Sequence, residues 1–186
     1  LDDDVSFEIK SVEPIRKDDV YGGYCVRLDA KYDTIVTPLS IDISTGDVIT
    51  PEAVQYEFSG IFDEDIRIKL WGYNIETVMA EKIETILSRV ELNGRMRDFY
   101  DIYLIYTKDW NNINLEHFRK AIEKTFSKRE YVGEPLLALD LIMDSNILKD
   151  RWTSYQKRYG YARNIDFDDI LICLEKIINA IVLETV

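Results

Sequence analysis

Ile66-Arg67-Ile68-Lys69-Leu70-Trp71-Gly72-Tyr73-Asn74-Ile75-Glu76-Thr77-Val78-Met79-Ala80-Glu81-Lys82-Ile83 is the stretch in which the apolar rhythm of this 186-residue chain changes. Up to Trp71 apolar and polar residues alternate one for one, the period of a strand with one face buried. Beyond Asn74 the apolar residues return at 75, 78, 79, 83, 86, 87 and 90, which is the spacing of one helical face. Reading back from Gly72, short β-branched runs broken by turn signals predict strands at 5–9, 24–30, 37–43 and 66–71, enough for one small sheet with one face buried. Reading forward, helical periodicity predicts segments at 75–91, 97–107, 115–127, 133–158 (broken near Asn146) and 167–184. Strands first and helices after predict an α+β protein: a β-rich portion over 1–72, then an α-helical domain over 73–186.

Composition narrows the function classes. Against 23 Lys and Arg stand 35 Asp and Glu, a formal charge of −12, so nucleic acid cannot wrap this surface broadly and any contact with it must be local. The most apolar stretch, 170–186, is interrupted by Glu175, Lys176 and Asn179, which argues against a membrane span. Cys25 and Cys173 lie far apart, without a CxxC and with a single histidine, so neither a zinc site nor a disulfide framework is written here and a reducing cytoplasm is expected. The chain starts at Leu1 with no initiator Met, which reads as a piece of a longer protein.

Three places could carry chemistry. Lys82 falls inside the apolar face of the helix expected at 75–91, where an ammonium must snorkel out, pair with a carboxylate or meet a phosphate. Glu76, Glu81 and Glu84 fall on other faces and read as solvated surface. In Arg95-Met96-Arg97-Asp98-Phe99-Tyr100-Asp101-Ile102-Tyr103, Asp98 and Asp101 share a side of the next helix while Phe99, Ile102, Tyr103 and Tyr106 form its core stripe. The two carboxylates serve either the helix dipole and an Arg97–Asp101 pair or a cleft in which Asp98 holds Lys82 and Arg95 or Arg97 contacts phosphate. On the strand Ser40-Ile41-Asp42-Ile43-Ser44, Asp42 points away from the isoleucines, either to plain solvent or as an oxygen ligand for Mg²⁺. From Lys149 to Arg163 five cations face one acid, Asp150, with Trp152, Tyr155, Tyr159 and Tyr161 interleaved; packed aromatics or a base-stacking strip both fit. His117 reads as surface, and Cys25 and Cys173 as small core residues.

Taken in order, Tyr21-Gly22-Gly23-Tyr24, Ser40 through Asp47, Glu76 through Lys82, and Arg97-Asp98-Phe99-Tyr100-Asp101-Ile102 resemble the AbiEii/AbiGii nucleotidyltransferase toxins of bacterial abortive-infection and toxin-antitoxin systems. The resemblance spans roughly 5–106, and Ala80-Glu81-Lys82 with the Arg97–Asp101 motif is its most specific part. It implies the remnant of a polymerase-β-like nucleotidyltransferase sheet followed by a helical bundle. It also implies a Mg²⁺-dependent enzyme that moves nucleotides from a nucleoside triphosphate to an acceptor such as a tRNA 3′ end, and a cognate antitoxin protein as partner. By the same resemblance Asp42 matches the strand carboxylate of the second motif, Lys82 the lysine that meets the triphosphate, and Asp98, or in second place Asp101, the acid of the last motif. The family's first motif, Gly-Ser or Gly-Thr followed by Asp-x-Asp, has no counterpart here; Asp2 and Asp4 spell Asp-x-Asp with no Gly-Ser before them. The main metal ligands are therefore expected upstream, and this piece is expected to be inert by itself. The competing expectation is a catalytically dead homologue that serves as a protein-interaction or regulatory module.

Overall fold

The computed structural model describes residues 4–15, 22–44, 46–61 and 63–182. They divide into two compact units, Leu1–Asp47 and Val48–Val186. Among the described residues five strands form two small antiparallel sheets, followed by six α-helices, an α+β architecture.

The first unit is a three-stranded sheet in the order β1 (Ser6–Ile15), β2 (Gly23–Tyr32), β3 (Ile35–Ser44). Its second hairpin is short because Asp33 takes a left-handed φ of 50°, which aspartate tolerates better than most residues. Gly23 begins β2 because a Cβ there would lie 2.7 Å from the Ile43 carbonyl oxygen on β3. Alternation and register sort the side chains cleanly. Ile9, Leu28 and Leu39 share one face with Val12, Val26 and Ile41. The other face carries Glu13, Cys25 and Asp42 in one row and Glu8 with Asp29 in another. Lys10 sits at a bulge between Ile9 and Ser11 and pairs with Glu8 at 3.1 Å and Asp29 at 3.3 Å. The expected burial of the apolar face does not occur: Ile9 is 64% exposed and Ile41 51%, and Leu28 is the one described large apolar side chain of this unit that is buried. Cys25, expected in the core, is half-buried on the polar face instead, because residues 24 and 26 take the apolar one.

The second unit opens with a separate hairpin, β4 (Val54–Ser59) with β5 (Arg67–Gly72). So the strand expected at 66–71 does not join the first sheet. Val54, Tyr56 and Phe58 alternate with Gln55, Glu57 and Ser59, and this neighbour in sequence pairs with β5 at the lowest loop-closure cost. The helices are α1 (Ile75–Arg89), α2 (Met96–Asp109), α3 (Leu115–Lys128), α4 (Pro135–Met143), α5 (Asn146–Arg158) and α6 (Phe167–Val182). Asn74 starts α1 by accepting from Thr77 N at 2.8 Å, and its Nδ2 donates to Glu52 O at 2.8 Å. The break expected near Asn146 lies at Asp144–Ser145, where Ser145 Oγ accepts from Leu148 N and caps α5. Met79, Ile83 and Ile86 of α1, Phe99 and Ile102 of α2, Phe118 of α3, Ile142 of α4 and Ile170, Leu174 and Ile177 of α6 make one core, all fully buried.

Glu76 and Glu84 are buried, contrary to the solvated reading, because each finds a partner on α3 or its flanks. Glu76 accepts from Asn114 N at 3.1 Å, and Glu84 takes Arg129 Nη1 at 2.7 Å. A buried carboxylate without such a partner would be costly.

Candidate active site

α1 and α2 cross so that position 82 of one meets positions 98 and 101 of the other. Lys82 Nζ donates to Asp101 Oδ2 at 2.7 Å and to Asp98 Oδ1 at 3.2 Å, with the Lys82 side chain 20% exposed and that of Asp98 3%. A lysine in the apolar stripe has therefore met carboxylates without losing its opening to solvent. An ammonium has three N–H donors, and two are committed here, which leaves one for a ligand oxygen. Arg95 Nη2 donates to Asp98 Oδ1 at 3.3 Å, and its Nε stands 2.6 Å from Asp98 Oδ2, off the hydrogen-bonding direction. Asp98 Oδ2 is thus buried and neutralised in charge by Arg95 without a directed hydrogen bond. Arg97, 79% exposed, reaches Asp101 only at 3.9 Å.

The loop into α2 is held from elsewhere. Asn93 is fully buried and its Oδ1 accepts from Arg95 N at 2.8 Å, while Arg151 of α5 donates from Nη1 to the backbone oxygens of Glu91 and of Asn93, the latter at 3.0 Å. Val90, at the end of α1, has φ of 44°, a strained value for a β-branched residue and one that turns the chain sharply into this loop.

Together these elements enclose an open cleft of about 980 Å³ lined by Lys82, Arg95, Arg97, Arg151 and Arg158 against Asp98, Asp101 and Asp150, with Tyr155 and Tyr159 on the α5 side. Five cations to three acids, on a chain of charge −12, make a local inversion of sign suited to an anion.

The chain matches, over residues 1–172, the family described as Nucleotidyl transferase AbiEii toxin, Type IV TA system. It belongs to that family. No curated protein and no solved structure matches it. AbiEii proteins are nucleotidyltransferase toxins of type IV toxin-antitoxin systems, which brings nucleotidyl transfer from a nucleoside triphosphate and an antitoxin partner to the family as a whole. No described helix is long and apolar enough to cross a membrane.

Within this AbiEii chain the cleft brings together Lys82, Asp98, Asp101, Arg95 and Arg97 from the residues singled out in the sequence. Asp42 belongs to the three-stranded unit, on its polar face beside Cys25, whose thiol is pushed up first by a hydrogen bond to Asp42 and then by burial. Among the described residues no group of three or more His, Cys, Asp or Glu is placed to hold a metal. His117 lies half-exposed in the first turn of α3, not among the residues lining the cleft. Asp2 and Tyr21 lie outside the described residues, and Asp4 is exposed. Arg151 escaped sequence reading as a member of the site, since its partners are backbone oxygens and carry no residue signature.

Proposed function

We propose that this AbiEii protein transfers a nucleotide from a nucleoside triphosphate to a nucleic-acid acceptor, the 3′ end of tRNA being the first to try, in the cytoplasm. The observation that supports the reading is the Lys82 ammonium. It stands within the matched span, fixed by Asp98 and Asp101 and open to a cation-lined cleft. Phosphoryl transfer needs little covalent work from the protein; it needs reacting groups held in line and negative charge neutralised. In this reading Lys82 places its remaining donor on a phosphate oxygen, and Asp98 and Asp101 keep the ammonium from swinging away. Arg95 offsets the charge of Asp98, and Arg97 adds a freer cation at the edge of the cleft. Mg²⁺ would supply Lewis-acid neutralisation of the phosphates when bound. Within the three-stranded unit, Asp42 would offer a divalent cation one oxygen, and further oxygen ligands would be required.

The satisfied Lys82–Asp98–Asp101 cluster also suits the competing reading, a homologue that has lost activity and keeps the pair as structure. One experiment separates them: incubate the complete gene product with each of the four labelled nucleoside triphosphates and total tRNA, and compare Lys82→Met. Label in tRNA that falls by about 10²-fold or more in the folded variant supports the enzyme. No label from any triphosphate, with a folded protein, overturns it in favour of the inactive homologue.

A further inference from the structure

The α5 side of the cleft is more elaborate than a lysine meeting a phosphate requires. α5 and the 3-10 turn Gly160–Ala162 form a hairpin pinned by Gln156, whose Nε2 donates to the carbonyls of Ala162, Arg163 and Ile165 at 3.3, 3.2 and 2.9 Å. Trp152 anchors it from inside, fully buried, with Nε1 donating to Ile165 O at 2.9 Å. On this frame the rings of Tyr155 and Tyr159 lie 4.6 Å apart, those of Tyr159 and Tyr161 5.6 Å, and Tyr161 reaches Tyr100 of α2 at 4.8 Å. The hydroxyls of Tyr155 and Tyr161 are 2.6 Å apart, which fixes both rings. Tyr161 is nevertheless 53% exposed and Tyr159 half-exposed. The aromatics of this segment thus divide: Trp152 belongs to the core, and the tyrosines form a rigid shelf at the surface.

The cations divide likewise. Lys82, Arg95 and Arg151 are committed to carboxylates or backbone oxygens. Arg158 has no ion pair among the described residues and lies 5.4 Å from the Tyr159 ring centre. Among the described residues Arg97 has only its 3.9 Å approach to Asp101. Base stacking on aromatic rings with arginines following the phosphates is the general chemistry of single-stranded nucleic-acid binding.

We propose that this shelf is a single-strand nucleic-acid site, in which bases stack on Tyr159 and Tyr161 and Arg97 and Arg158 take neighbouring phosphates. Two rings and two arginines on different helices match a repeating strand better than one mononucleotide, whose phosphates have Lys82. The proposal rests on the reading of the cleft as a nucleotidyltransferase site and names its acceptor side.

The test is binding to the 186-residue chain. A fluorescein-labelled single-stranded oligoribonucleotide of about eight nucleotides is followed by anisotropy, and each nucleoside triphosphate by calorimetry. Tyr159→Ala with Tyr161→Ala should weaken the oligonucleotide at least about ten-fold while triphosphate affinity stays within about two-fold, and the Phe versions should restore it. Arg97→Ala and Arg158→Ala should each reduce the slope of log affinity against log salt by about 0.7. Should wild type not bind the oligonucleotide, or should the folded double Ala variant hold it as well as wild type, the proposal is wrong. Loss of triphosphate binding in that variant, with the strand retained, would assign the shelf to the donor's base and overturn it too. Lys82→Met reports separately on the parent reading: triphosphate binding that survives it removes Lys82 from the donor site and leaves the strand site standing.

Discussion

Lys82 shows how magnitudes sort residues of like charge. Lys82→Met takes the ammonium from two carboxylates, one of them nearly buried, and Asp98 keeps only Arg95. A loss of about 2 kcal/mol in urea unfolding is expected, as for a charged hydrogen bond left half-made. Arg97→Ala, on an exposed residue with a 3.9 Å pair, should cost less than about 0.5 kcal/mol by the same measurement. Tyr155 supplies a pH signature. Burial first, and then its bond to Tyr161, push its phenol above the ordinary tyrosine range, so the folded state holds the proton longer than the unfolded one. The resulting stability is whole below about pH 10 and is lost as pH rises beyond that, and in thermal melts Tyr155→Phe should flatten this alkaline decline. At this scale Lys82 was legible because a charge inside an apolar stripe is anomalous. Glu76 and Glu84 were not, because their partners, Asn114 N and Arg129, come from sequence-distant elements that no local pattern announces.

Helix by helix, boundaries were readable where a side chain marks them. Asn74 and Ser145 cap α1 and α5, and both breaks follow from those residue types. The hairpin of β4 and β5 was missed in part, since an alternating run carries the period of a strand and no label of its partner. Register between elements likewise hides in the fold: α5 holds the entry to α2 through Arg151, by two backbone oxygens. Arg151→Ala should lower the melting temperature, by about 2 kcal/mol of stability, and raise hydrogen exchange selectively over residues 91–98. Arg151→Lys, a point donor lacking the planar fork, should recover only part of this.

Across the whole molecule, burial is uneven. The helices share one continuous core, whereas in the three-stranded unit Leu28 is the single buried large apolar side chain described. Native-state hydrogen exchange should therefore be graded: amides of β1 to β3 exchanging by local opening well before those of α1 and α6, which wait for global unfolding. Uniform protection across both units would contradict that. The α+β class was legible from the change of period at Gly72, because periodicity reports local geometry; division into two sheets was not, because pairing is decided by loop closure and tertiary packing. The outer strands of the first sheet carry a consequence of their own. A sheet with Ile9, Val12, Ile41 and Ile43 facing solvent is a template for fibril growth, but β3 carries Pro38, which cannot donate to a ladder, and β1 is kinked at Lys10. These two residues act as gatekeepers against self-propagation, and Pro38→Val should turn a quiet protein into one that gathers thioflavin-positive aggregate on storage.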